Sequence, residues 1–289
     1  MLTASIVIHN TPDKQVRKAL ECLSRSGIEK VYLLDNGTHP FNATTLPEKP
    51  LTDYRRIANR GFGAGHNIAL REVINDNPEG YHLVMNADVE WEGDALSPLV
   101  DYMVDNGDVG MVQPRIIYGD GVLQYTCRLL PTPWDLFAKR FLSRISQLRP
   151  GYSKREGWKQ ERYLLMEHDH RKALEVAYLQ GSFMLFRNKA LAECGVFDER
   201  FFMYPEDIDI TRRMHQQWKT LYLPIVEITH YHQAASRRNL KMFGIHLWNM
   251  IKYFNKWGWL IDRERRSINR RILSAIQPYP AGEKEIGRG

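Results

Sequence analysis

The stretch Tyr81-His82-Leu83-Val84-Met85-Asn86-Ala87-Asp88-Val89 is a short apolar run that ends on a carboxylate. Tyr81 to Met85 reads as a β-strand, which puts Asp88 at its carboxyl end. The same pattern recurs upstream. Ala4 to Ile8 is an apolar run closed by His9-Asn10-Thr11-Pro12, and Val31 to Leu34 is closed by Asp35-Asn36-Gly37. Tyr54 to Ile57 suits a third strand, and Val109 to Val112 a later one. Between them lie helical stretches: Asp13 to Ser26, with Val16, Ala19, Leu20 and Leu23 on one stripe, then Gly65 to Ile74 and Asp94 to Val104. Strands alternating with helices predict an α/β fold with a mostly parallel central sheet flanked by helices. Ligands of such sheets bind outside the carboxyl ends of the strands, where His9, Asp35 and Asp88 all fall.

Farther along, the stretch Gly195 to Arg213, G-V-F-D-E-R-F-F-M-Y-P-E-D-I-D-I-T-R-R, sets four carboxylates (Asp198, Glu206, Asp207 and Asp209) among aromatic residues and the start of a helix. Acids are tolerated at a helix N-terminus, so simple capping is one reading. The aromatic approach Phe201-Phe202-Met203-Tyr204 favours another. Partial burial raises a carboxylate's pKa and makes it a useful base.

The remaining candidates each carry two readings. Asp35 suits a nucleotide-recognising acid or a turn before Asn-Gly. Asn59-Arg60-Gly61-Phe62-Gly63-Ala64-Gly65-His66-Asn67 can bring backbone close to a phosphate at a helix N-terminus. It is neither a dinucleotide fingerprint nor a P-loop, and a glycine-rich turn accounts for it as well. Asp88 is a hard oxygen ligand for Mg²⁺ or Mn²⁺, or a turn residue. His230 and His232 would share a face of an extended segment, and spacing does not choose between them as metal ligands.

Length and composition bound the rest. A chain of 289 residues allows one large domain or one domain with an appendage. Three scattered cysteines, Cys22, Cys127 and Cys194, fit a reducing compartment and exclude a disulfide framework. The N-terminus reads as a strand and not a signal peptide, and no run suits a transmembrane helix. The net charge of +6 is unevenly spread. Leu136 to Arg155 carries only basic charges, within a segment (131–176) that interrupts the β/α rhythm, and Phe137, Phe141, Ile145 and Leu148 share a helical face there. The β/α pattern resumes at Tyr178 to Arg187 and continues to a strand at Thr220 to Leu223. Arg237 to Ile261 has five basic residues, six aromatic ones and no acid. Both basic segments suit an anionic membrane surface, with a solvated helix face as the plainer alternative. Residues past Pro280 read as a frayed tail.

Taken together, L-L-D-N-G-T, N-R-G-F-G-A-G-H-N, M-N-A-D-V, Q-G-S-F-M-L-F-R and G-V-F-D-E-R-F-F-M-Y-P-E-D-I-D-I resemble the family 2 glycosyltransferases, most of all the bacterial rhamnosyltransferases of O-antigen and cell-wall polysaccharide assembly. The resemblance implies a GT-A fold over residues 1–235, with a nucleotide-sugar-binding half (1–115) and an acceptor and catalytic half (116–235), followed by a C-terminal amphipathic helical segment (236–289) expected at a membrane. It implies inverting transfer from a nucleoside-diphosphate sugar with Mg²⁺ or Mn²⁺. Asp207 matches the general base, and Asp88 and His230 match metal-binding positions. Asp35, Asn59, Gly61, Gly63, Asn67 and Asn86 would line the donor site, with Glu206, Asp209 and His232 as further candidates. Asn86 stands where other branches carry Asp, and Ala87 replaces the proline usual in this branch. The expected donor is dTDP-rhamnose, with a UDP-sugar as alternative. The expected acceptor is a polyprenyl-diphosphate-linked saccharide, met by a cytoplasmic enzyme held on the inner membrane face. A sugar nucleotidyltransferase is a rival reading. Nucleic acid is not an expected partner, because it leaves the strand-end acids unexplained.

Overall fold

The computed structural model describes residues 1–46, 49–136, 161–231, 240–283, 285 and 287–288, with the side chains of 45 and 240–242 excepted. Most of the basic stretch at 136–155, with Phe137, Phe141, Ile145 and Leu148, lies outside the described residues, as do His232 and the start of the 237–261 segment.

The first half alternates as expected: β1 (Leu2–Ile8), α1 (Asp13–Ser24), β2 (Lys30–Asp35), β3 (Leu51–Arg56), α2 (Phe62–Asp76) and β4 (Tyr81–Met85). β1 pairs in parallel with β2 and β4, and β2 with β3. One face of this sheet packs Ile6, Leu33 and Leu83 against Val16, Leu20 and Leu23 of α1. On the other face, Ala69 and Val73 of α2 cover Tyr32 and Leu34. Strands buried on both faces explain their unbroken apolar runs.

The second half extends the same sheet. It comprises β5 (Val89–Glu90), α3 (Ser97–Asp105), β6 (Val109–Tyr118), β7 (Leu123–Gln124), β8 (Leu174–Glu175), β9 (Phe183–Arg187), α4 (Asn188–Cys194), α5 (Glu206–Met214) and β10 (Lys219–His230). β9 runs antiparallel between β4 and β6, giving the order β3-β2-β1-β4-β9-β6. β10 lies parallel to β6 and antiparallel to β5 and β8. The sheet is therefore mixed, wholly parallel across the strands of the first half and of both senses beyond them.

The C-terminal elements α6 (Leu240–Trp257) and α7 (Arg263–Ser274) join this core. Tyr253, Phe254, Ile268 and Ile272 share a buried cluster with Met184, Phe186 and Ile210. The expected frayed tail is instead tied down. β11 (Gly287–Arg288) pairs with β7, and Glu285 accepts from Arg115 Nη1 at 3.0 Å. Among the described residues no helix is long and apolar enough to cross a membrane.

Candidate active site

Asp207 sits in the first turn of α5, whose N-cap, Pro205, has no side chain that can cap it. Glu206 and Asp207 are both buried, so neither is an ordinary solvated first-turn acid. Asp207 Oδ1 accepts from the amide of Ile208 at 2.8 Å and Oδ2 from the amide of Gly181 at 3.1 Å. Glu206 Oε2 finds no hydrogen-bond partner among the described residues. Burial pushes both carboxyls up, and the charge of Asp207 pushes Glu206 further, well above the usual range. The two amides and the Arg128 guanidinium hold Asp207 back. Burial thus raises both carboxyls, Glu206 the further, because its neighbour's charge adds to its own desolvation.

Asp88 follows β4, and His230 ends β10. Pairing of His230 with Val89 brings them together, with His230 Nε2 3.3 Å from Asp88 Oδ1. His230 Nδ1 lies 2.9 Å from Gln124 Oε1, and Gln124 Nε2 donates to Gln180 Oε1 at 3.2 Å. In the tautomer that donates from Nδ1, Nε2 presents a lone pair to a carboxylate oxygen. Two acceptors face to face fit a cation between them. Among the described residues no group of three or more His, Cys, Asp or Glu could hold a metal ion alone. One carboxylate and one imidazole, completed by substrate phosphates, is a donor set that suits Mg²⁺ or Mn²⁺.

The two acidic motifs meet through adjacent residues. Gly181 donates to Asp207, while the carbonyl of Ser182 accepts from Asn86 N at 3.0 Å. A single peptide unit thus links the base candidate to the strand end that carries Asn86 and Asp88.

Other expected residues take different positions. Asp35 is almost wholly buried and makes four hydrogen bonds, from Gly37 N (2.8 Å), Phe41 N (2.9 Å), Tyr54 Oη (2.8 Å) and Arg56 Nη1 (2.9 Å). Burial alone would raise its pKa, but the amides of Phe41 and Gly37, with Tyr54 and Arg56, hold it below the usual range. Its carboxylate oxygens thus tie the following loop to β3 beside the strand end. The surface at that strand end is offered by His9, whose Nδ1 lies 2.9 Å from Asn36 Oδ1, and by exposed Asn59.

The glycine-rich segment also packs internally. α2 begins at Phe62, earlier than the Gly65 expected, because Gly61 takes φ +102° just before it. Phe62 N donates to the carbonyl of Phe202 at 2.9 Å, and a Cβ on Gly61 would lie 2.0 Å from that oxygen. A Cβ on Gly63 would crowd Phe197, and one on Gly65 would crowd Val7. Asn67 is buried, with Nδ2 donating to the carbonyl of Phe197 at 2.9 Å and Oδ1 accepting from Phe197 N at 3.0 Å. Gly61, Gly63 and Asn67 therefore pack against the segment at 197–202 that leads to Asp207.

Asp209 is likewise drawn away, because it is buried on Arg213 Nε (2.9 Å), Lys256 Nζ (2.6 Å) and Trp257 Nε1 (2.8 Å). Asp198 is paired with Arg200 and Lys256, which hold its carboxyl far below the usual range. Lys252 donates to the carbonyl of Arg200 at 2.7 Å. Lys252 and Lys256 of the 237–261 segment are thus engaged with the protein itself.

Sequence reading missed Gln124, Gln180 and Arg128. Gln180 lies in the recognisable Q-G-S stretch, but nothing local marks it as a relay to His230. Arg128 carries no motif at all. Its Nε donates to the carbonyl of Tyr125 at 2.9 Å, its guanidinium lies 5.6 Å from the Tyr178 ring centroid, and its charge acts on Asp207.

Comparison with known proteins fits this geometry. The chain is 26% identical over 250 residues to the N-acetylglucosaminyl-diphospho-decaprenol L-rhamnosyltransferase of Mycobacterium tuberculosis, covering 81% of this chain and 77% of that one. It is 25% identical over 285 residues to the rhamnosyltransferase WbbL of Escherichia coli, covering 94% and 98%. Among solved structures, GalNAc-T7 with UDP, GalNAc and Mn²⁺ superposes with a TM-score of 0.54 at 14% identity, over 80% of this chain and 44% of that one. The mannosyltransferase PcManGT of Pyrobaculum calidifontis, in complex with GDP-Man and Mn²⁺, gives 0.51 at 13%, over 95% and 74%. These two establish a shared GT-A-like fold. The profile of Glycosyl transferase family 2 matches residues 5–195, a span that holds Asp35 and Asp88 and stops short of Asp207. The chain belongs to glycosyl transferase family 2 and is a glycosyltransferase.

Proposed function

We propose that this enzyme transfers rhamnose from dTDP-rhamnose to a lipid-linked saccharide, with inversion, in bacterial polysaccharide assembly. The carrying observation is the buried Asp207 carboxyl, one peptide unit from the strand end of Asn86 and Asp88. A carboxylate so placed accepts the proton of an acceptor hydroxyl. The freed oxygen attacks the anomeric carbon opposite the leaving group, and the bond to the diphosphate breaks with its electron pair going to the phosphate oxygen. Asp88 and His230 would hold a divalent cation, which supplies neutralising charge for the departing diphosphate. The loop ordered by Asp35, with Asn36 and Asn59, would form the nucleotide side of the donor site. The names of the two relatives support rhamnose as the sugar, and that of the mycobacterial one supports a diphosphate-lipid acceptor.

The test is a transfer assay across sugar nucleotides with Mn²⁺. Asp207→Asn should lower the transfer rate by about 10²–10⁴-fold, the usual contribution of a general base, while dTDP still binds. Unchanged transfer in that variant would remove Asp207 from the mechanism. Turnover of a UDP-sugar in place of dTDP-rhamnose would overturn the donor.

A further inference from the structure

A cleft of about 710 Å³ lies between α7, the turn before it and the segment at 132–134. Four arginines line it, Arg162, Arg265, Arg266 and Arg270, and no acid does among the described residues. Arg265 is partly engaged, 3.3 Å from the carbonyl of Pro131 and 3.9 Å from Asp262. Arg266 and Arg270 are exposed and form no salt bridge among the described residues. Clustered guanidinium groups repel one another, and phosphate oxygens are their best-matched ligand.

The rest of the lining is not what a free nucleotide needs. Trp134 and Trp259 line the same cleft with Leu260, which is 77% exposed. Indole rings and an exposed leucine beside arginines suit an amphiphile with a phosphate head and a hydrocarbon tail.

The cleft is also within reach of the chemistry. Arg128 and Tyr163 act electrostatically on, or feel, the charge of Asp207. Thr132 of the cleft wall is four residues beyond Arg128, at most about 14 Å along the chain, and Arg162 adjoins Tyr163. That path is comparable to a sugar ring and its attached diphosphate.

We propose that this cleft holds the diphosphate of the lipid-linked acceptor, with Arg266 and Arg270 on the phosphate oxygens and Trp134, Trp259 and Leu260 along the first isoprene units. The assignment rests on the reading of the acceptor given above, and it places lipid recognition at the end of the 237–261 segment and on α7.

Farnesyl diphosphate is a soluble probe for the full-length protein. Wild type should bind it at least tenfold more tightly than farnesol or inorganic diphosphate. Arg266→Gln with Arg270→Gln should weaken that binding tenfold or more, and Arg→Lys at both positions should restore most of it. Thermal unfolding checks that the exposed substitutions leave the fold intact. Equal binding of farnesyl diphosphate by the glutamine variant would overturn the proposal. Equal competition by phosphatidylglycerol vesicles would also overturn it, since a bilayer headgroup would then be the ligand. Wild-type enzyme that turns over no sugar nucleotide would count against the donor reading, while the binding comparison would still decide the cleft.

Discussion

Glu206 and Asp207 are adjacent in sequence and both buried, and both carboxyls are pushed up, Glu206 the further. Two amides and the Arg128 charge restrain the rise at Asp207, whereas at Glu206 burial and the neighbouring charge outweigh the backbone hydrogen bonds at Glu206 and Tyr204. Glu206 has a consequence for stability. Its folded pKa is raised above the ordinary value of 4.5, so its contribution is fully present below pH 4.5 and is lost as pH rises towards the folded value. Glu206→Gln has no proton to lose. Its stability relative to wild type should therefore grow above pH 5, by up to about 1.4 kcal/mol per pH unit, in urea unfolding measured across pH. A difference that stays constant with pH would contradict the assignment. Gln124 acts through His230, whose ring it orients at 2.9 Å. Gln124→Leu should raise the Mn²⁺ concentration needed for half-maximal activity by about 10–100-fold, as loss of such outer partners does. Metal titration of the variant checks this, and an unchanged requirement would place the metal elsewhere. The positions of Asp88 after a strand and of Asp207 in the first turn of a helix were legible from sequence, because strand ends and helix starts are local signals. The bonding of Asp35, Asn67 and Asp209 to their own neighbours was not. Asn67 meets Phe197 from 130 positions away, and only tertiary packing sets that contact.

At the scale of elements, the glycine-rich turn and the helix behind it do mechanical work on the catalytic loop. Gly61 adopts a backbone angle that side chains rarely take, and it lies against the carbonyl of Phe202, four residues before Glu206. Gly61→Ala should cost about 1–3 kcal/mol of backbone strain, and the clash should displace the loop ahead of Asp207. A lower melting temperature together with a lower kcat is expected, and unchanged kcat would show that the contact does not position the base. The alternating first half could be read in advance because parallel strands buried on both faces leave plain apolar runs. β10 could not be read to its full length. Pro224 interrupts the run, and the register against β6 shifts between Tyr222 and Glu227, so only Thr220 to Leu223 looked like strand.

At the scale of the molecule, the C-terminal helices close the second half onto α5. Arg212 of α5 is buried, grips both oxygens of Asp262 at 2.8 Å, and stacks 4.0 Å from the centroid of Trp257. Lys256 adds a second tie through Asp198 and Asp209. These partners lie up to 58 positions apart, which is why a separable C-terminal segment was the natural expectation from sequence. The net charge of +6 divides accordingly. Lys252 and Lys256 of α6 bond to the protein itself, and Arg265, Arg266 and Arg270 of α7 line a cleft. The whole account depends on the two strand-end and helix-start acids serving one ligand. A crystal structure of the enzyme with dTDP and Mn²⁺ is the most direct measurement. The account predicts the diphosphate at Asp88 and His230, with the Asp207 carboxylate facing the position where the donor sugar would extend. Diphosphate density away from Asp88 and His230, or protein filling the space between it and Asp207, would contradict it.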